Sequence, residues 1–341
     1  MLVEIKLRRQ RKGLLAGSVI ALALLLCGTE IWGQDAPCLR RTVIVNVVTE
    51  AGFPVRDLVL NDFSAKLGSK PVGLLSLTPQ TASPRIVLVI DASESMSSPS
   101  AIWEPVRQMA MDLVRKAPRA SPVALIVFGS QVAVRVDFTQ RRTAVLEQLL
   151  TIQPGKNILA KGQRRTALWD AFLEAVQILQ PAMPGDIIYA ITDGADTASR
   201  TQRTEIERRL ITSSVRPFIA VPPLSSLSAD RGRPPKDLNA AHEISELTET
   251  TGGAVFYGPP SIFLQKPSPD EKYLAKLSAA LAPIYATMSD FYRLEIDLPL
   301  EVHKPQNWKL ELAKSQDKKR KGLRLAYPRK LLPCGESASP N

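Results

Sequence analysis

The sequence predicts an α/β protein: a doubly wound, mostly parallel sheet flanked by N- and C-terminal β segments. Three observations predict it. Ile86-Val87-Leu88-Val89-Ile90 and similar runs are apolar without alternation, as strands covered on both faces are. Segments with helical spacing separate these runs, and strand–helix alternation is the pattern of a parallel sheet. Strand-like, β-branched stretches then return on either side of the alternating region.

The elements follow in order. Lys6, Arg8, Arg9, Arg11 and Lys12 precede an uncharged Leu- and Ala-rich run, Leu14 to Gly28, and polar or small residues from Thr29 to Gln34. That order is the order of a secretory signal peptide, so residues 1–34 are expected to be removed on export. The apolar run is shorter than the roughly 20 residues that span a bilayer comfortably. An uncleaved N-terminal anchor and lipid attachment at Cys27 are the alternatives, since the site near Gly33 or Gln34 is poor for cleavage.

Residues 35–83 form the first β segment: Thr42 to Val48 is β-branched, Glu50 to Pro54 is a turn, and Val55 to Leu77 holds short strands broken by Asn61-Asp62 and Gly68. Thr78 to Pro84, with two prolines, reads as a linker. Residues 84–290 hold the alternating region. Strands are expected at Ile86–Ile90, Val123–Phe128, Gln131–Phe138, Asp186–Thr192, Phe218–Val221 and Ala254–Tyr257. Helices are expected at Ala101–Lys116, Thr143–Ile152, Ala167–Leu179, Glu205–Ile211, Ala240–Thr250 and Tyr273–Met288. A polar insert with four prolines, Pro222 to Pro235, interrupts the pattern. Residues 291–341 return to β structure at Tyr292–Leu298, Trp308–Ala313 and Leu323–Tyr327, and end in a loose tail from Glu336. Each β segment is too short to bury a stable core alone, so the two are expected to pack together as one discontinuous β domain.

Composition narrows the function. The 341 residues are 45% hydrophobic, enough for a sizeable core, and carry a formal net charge of +11. Five basic and two acidic side chains in residues 1–34 account for part of that, leaving +8 on the exported body. Nucleic acid is excluded as a partner by export, while a basic surface favours acidic partners or the cell envelope, in a periplasmic or extracellular setting. The tight run Lys318-Lys319-Arg320-Lys321 lies between two strand-like segments and reads as a solvated hairpin turn. Of three cysteines, Cys38 and Cys334 remain after export, an even pair that suggests a disulfide in an oxidising compartment; two free buried thiols are the alternative.

The chemistry concentrates at strand ends. The run at Ile86 ends in Asp91-Ala92-Ser93-Glu94-Ser95, which places oxygen on alternate residues. Asp193 follows another strand in Thr192-Asp193-Gly194, and Thr166 stands just ahead of a helix. Ligands of open parallel sheets bind outside the carboxyl ends of the strands. Asp91 reads as a surface carboxylate there, repelled by Asp193. Magnesium takes about six oxygen ligands and keeps several waters. A carboxylate with several hydroxyls neutralises only part of its charge and leaves it seeking an external anion, such as a partner's Asp or Glu carboxylate. His242 and His303 lie far apart without metal-motif spacing, which argues against zinc catalysis.

Asp-x-Ser-x-Ser after the first strand, a later Thr, and Thr-Asp-Gly after a further strand resemble the metal-ion-dependent adhesion site of von Willebrand factor type A domains. The resemblance spans about Pro84 to Ser289. It implies that Ser93 and Ser95 hold a divalent cation directly, Thr166 directly when ligand is bound, and Asp91 and Asp193 through water, although which aspartate binds directly varies with state. Mg2+ is the expected ion, with Mn2+ or Ca2+ as alternatives. The flanks, with Gly52-Phe53-Pro54-Val55, Asn61-Asp62-Phe63 and Leu323-Arg324-Leu325-Ala326-Tyr327, resemble the type A-related proteins abundant in acidobacteria. Two residues depart from the family pattern: Glu94 and Arg165 stand where glycine is frequent. Each is either a solvated side chain or part of the partner-binding surface. Arg165 could equally repel the metal.

The expected function is therefore an exported, metal-dependent protein-binding module and not an enzyme. A metal-free domain serving as an envelope scaffold is the competing reading. A hydrolase is a further one, although neither histidine has a recognisable partner and no Gly-x-Ser-x-Gly elbow is present.

Overall fold

A computed structural model of the chain describes residues 38–97, 102–155, 165–222, 236–258, 271–313 and 322–333. The expected signal peptide at residues 1–34, most of the proline-rich insert, the Lys318–Lys321 run, Cys334 and the residues from Glu336 lie outside the described residues.

The centre is a six-stranded sheet. Its strands are β5 (Ile86–Asp91), β6 (Val123–Phe128), β7 (Val132–Val136), β8 (Ile187–Ile191), β9 (Arg216–Val221) and β10 (Ala254–Tyr257), in the order β10-β9-β8-β5-β6-β7. All pairs are parallel except β6 with β7. The chain winds outward from β5 in both directions, so the switch point lies beside β5 and its neighbour β8.

Both faces of the sheet are covered, which explains the unbroken apolar runs. One face is packed by α1 (Trp103–Lys116), α2 (Arg142–Thr151) and α6 (Glu271–Ser289), where Ile86, Leu88 and Ile90 meet Val106, Leu113, Leu149 and Leu277. The other is packed by α3 (Leu168–Ile178), α4 (Arg203–Ser213) and α5 (Lys236–Thr251), where Val87 and Val89 meet Phe172, Ile206, Leu210 and Leu247. Alternate residues of β5 thus feed two separate cores, and every one of its residues is buried.

The flanking segments combine as expected. β1 (Arg40–Val48), β4 (Gly73–Thr81), β11 (Asp290–Asp297) and β13 (Arg324–Ala326) form one four-stranded sheet in the order β13-β1-β11-β4. β2 (Phe63–Leu67), β3 (Lys70–Pro71), β12 (Gln306–Leu312) and β14 (Lys330–Leu331) form another in the order β14-β12-β2-β3. Each sheet mixes strands from before and after the α/β region, and Val43, Val45, Phe63, Tyr292, Leu294, Trp308 and Leu310 share one core between them.

One expectation is corrected. Thr78 to Thr81 is not linker but the second half of β4, running antiparallel to β11 with Pro79 opposite Tyr292. β4 lies at the edge of its sheet, where a proline's missing N–H does no harm.

The α/β region docks on the β region through a buried arginine. Arg216 donates from Nη1 to Asn46 Oδ1 (3.0 Å) and Thr287 O (3.2 Å), and from Nη2 to Met288 O (2.7 Å) and Gly185 O (3.3 Å). Its guanidinium also stacks over Phe291, 4.5 Å from the ring centroid. Asn46 in turn donates to Thr287 O and Asp290 O. Among the described residues, no helix is long and apolar enough to cross a membrane.

Candidate metal centre

β5 ends at Asp91, and the chain then turns sharply. Ala92 N donates to Phe128 O (2.7 Å), which extends the contact with β6 by one residue. Ser93 N folds back onto Asp91 Oδ1 (2.9 Å), and a 3-10 turn follows at Glu94–Ser97. Met96 plugs the core beneath this turn. The Ser93 and Ser95 hydroxyls are brought within 2.9 Å of each other.

Asp91 is not the surface carboxylate expected: it is fully buried. The reason is the turn that closes over it together with β8 alongside, whose following residue Thr192 donates its hydroxyl to Asp91 Oδ2 (2.8 Å). Burial, then the nearby Asp193 carboxylate, push the Asp91 carboxyl up to about 7, against the pull of the hydrogen bonds from Ser93 and Thr192.

Asp193 is itself buried, and its Oδ1 accepts Ala195 N (3.0 Å). Gly194 adopts φ +86°, and a Cβ there would stand 2.3 Å from Ile244 Cδ1 of α5. The glycine of Thr-Asp-Gly is thus required twice, for its backbone and for its lack of a side chain.

Thr166 is buried and held by its backbone to the loop that follows Asp193. Its N–H donates to Thr197 Oγ1 (2.9 Å), and its carbonyl accepts Thr197 N (2.8 Å) and Ala198 N (2.9 Å). The same loop caps α3. Leu168 N donates to Asp196 Oδ1 (2.9 Å) and Asp170 N to Ser199 Oγ (3.1 Å), while Asp170 accepts Arg200 N and Thr201 N in return. Burial raises the Asp196 pKa above the ordinary aspartate value. Arg165 is exposed, and its Nε and Nη2 both donate to Thr197 O (3.0 and 2.8 Å). Glu94 is half-buried in the 3-10 turn.

Asp91, Ser93, Ser95 and Asp193 therefore gather at the switch point, and Thr166 is tied to the loop that Asp193 begins. Among the described residues, no group of three or more His, Cys, Asp or Glu side chains forms a metal cluster, so an ion here would depend on hydroxyls as well as carboxylates. Residues 86–195, from the start of β5 to just past Asp193, match the von Willebrand factor type A domain family. The chain carries a von Willebrand factor type A domain.

Solved structures similar to the chain include BatB of Bacteroides thetaiotaomicron, described as a conserved hypothetical protein, at 15% identity over 58% of this chain and 97% of that one, with a TM-score of 0.41. A von Willebrand factor type A protein from Catenulispora acidiphila aligns at 13% identity over 88% of this chain and 75% of that one, with a TM-score of 0.40. Proximal thread matrix protein 1 of the mussel byssus aligns at 14% identity over 62% and 48%, with a TM-score of 0.42. No curated protein matches the chain.

Two contributors to the type A domain's candidate site escaped the sequence reading, Thr192 and Asp196. The signal for Thr192 was its place one residue before Asp193 at a strand end. Asp196 had none, because the helix it caps begins 28 residues earlier in the chain.

Proposed function

We propose that the type A domain is a metal-dependent protein-binding module, in which Asp91, Ser93, Ser95, Thr166 and Asp193 hold a divalent cation that grips a partner's Asp or Glu carboxylate. The observation that carries this reading is the burial of Asp91 beside a second buried carboxylate, Asp193, with hydroxyls rather than cations as its neighbours. Two like charges withdrawn from water lack compensation, and a cation supplies it. The donor set is all oxygen, the chemistry of Mg2+, with Mn2+ and Ca2+ also suited. When bound, the ion supplies a positive centre that an external carboxylate can complete. The side chains themselves position that centre: the Asx turn at Ser93 orients Asp91, and the Thr197 bonds fix the backbone of Thr166.

The module is read as exported, with residues 1–34 as its signal and its body in the periplasm or outside the cell, in association with the envelope. Cys38 and Cys334 are proposed to pair there. Their flanks support this, because Arg41 Nη2 donates to Leu332 O (3.1 Å), two residues short of Cys334. The function is recognition, with no reaction assigned.

The test is capture of acidic peptides by the full chain in magnesium and in chelator, beside calorimetric titration of magnesium. Magnesium binding with chelator-sensitive capture is the expected result. Capture that is identical in chelator, or a chain that takes up no divalent ion, overturns the reading.

A further inference from the structure

We propose that Arg165 is a second anchor for the partner, taking an acidic group next to the one that meets the metal, so that the site selects segments bearing two neighbouring carboxylates. This rests on the metal-dependent reading of the site. Arg165 directly precedes Thr166, and its side chain is exposed without being loose. Two of its N–H groups converge on Thr197 O, and Thr197 is bonded twice to Thr166, whose carbonyl also accepts Ala198 N. The guanidinium is therefore held to the loop that begins at Asp193. A guanidinium has five N–H donors in a fixed fork; two of them are used here, and the Nη1 side has no partner among the described residues.

Among the described residues, no carboxylate lies within ion-pair distance of Arg165. Half-buried Arg208 and Arg209 pair with Glu205 and exposed Arg329 with Glu249, whereas Arg165 turns two donors to a carbonyl. This arginine is fixed by a carbonyl beside a candidate cation ligand, and has no ion-pair partner among the described residues. Its fork matches a planar carboxylate supplied from outside. Next to a cation that takes one acidic side chain, the chemistry that fits is a second acidic side chain on the same partner segment.

The experiment compares two Gly/Ser peptides, one with a single aspartate and one with two adjacent aspartates, against the full chain, Arg165→Gln and Arg165→Lys, in magnesium and in chelator. In magnesium the unaltered chain should prefer the diacidic peptide by about 10-fold, the weight of one charge-assisted hydrogen bond. Arg165→Gln should lose that preference while its magnesium titration and its binding of the monoacidic peptide stay the same, and Arg165→Lys should keep part of it. An unchanged preference in Arg165→Gln overturns the inference. So does an equal loss for both peptides, which would mark Arg165 as a support for Thr166 alone. Capture that ignores chelator would overturn the parent reading and this inference with it. Capture that needs magnesium but ignores Arg165 would overturn this inference only.

Discussion

Asp91 faces opposite demands with and without a cation. Without one, its carboxyl is fully buried near Asp193, and its pKa is raised to about 7 by burial and then by that charge. An acid whose folded pKa exceeds its unfolded one makes the folded state less stable as pH rises between the two values. The metal-free chain should therefore lose stability from about pH 4 to about pH 7 through this group, by on the order of a few kcal/mol. Thermal melts in chelator at pH 5 and pH 8 check this, and magnesium should restore the loss at pH 8. Asp91→Asn keeps an acceptor for Ser93 N, so it should fold, melt with a flatter pH dependence in chelator, and show no magnesium heat on calorimetric titration. Equal magnesium affinity in the variant would mean that the turn holds no ion. The sequence placed Asp91 at a strand end, and the parallel-sheet rule made that legible. Its burial was not legible, because it depends on Thr192 from another strand and on how the Glu94–Ser97 turn folds over it.

At the scale of elements, the loop after β8 does more than carry Asp193. It caps α3 from outside through Asp196 and Ser199, while the residue that precedes α3, Ala167, has no side chain able to cap it. A cap read from sequence is sought just before a helix, so this one stayed hidden. Gly194 is the pivot of the loop. Gly194→Ala should cost about 1–3 kcal/mol, because φ +86° is unfavourable for alanine and the new methyl meets Ile244. It should also weaken magnesium uptake by displacing Asp193, and urea unfolding with a parallel titration measures both. A variant as stable as the parent would show that the loop shifts freely. The misread half of β4 has a related cause. Pro79 punctuates the sequence like a linker residue, and only the edge position of the strand makes it harmless.

For the whole molecule, the sequence made the fold class and the joining of the two β segments legible, since neither segment could bury a core alone. It gave no sign of how the β and α/β regions lock together. Asn46 stands inside a run of valines and isoleucine, and Arg216 precedes a proline at the start of β9; neither pattern names a partner. Arg216→Ala should cost roughly 3 kcal/mol or more, since it strips buried carbonyls of their donor. Urea unfolding checks this, and a loss within about 0.5 kcal/mol, as at ordinary surface sites, would deny the lock. The proposed Cys38–Cys334 bond closes a loop around nearly the whole body and should add about 2–5 kcal/mol. Peptide mapping without reductant should recover the linked pair, and recovery of both cysteines as free thiols would refute it.

β5 has a mechanical consequence. Its first residue follows β4 after only four intervening residues, its last is Asp91, and it is bonded to β6 on one side and β8 on the other. A tug on whatever Asp91 helps to hold, resisted from β4, would run lengthwise along this strand. Its covalent backbone would then carry the load from end to end, while the hydrogen bonds on both its edges keep it in register without bearing that tension. A tether anchored in this way passes force on without opening the sheet.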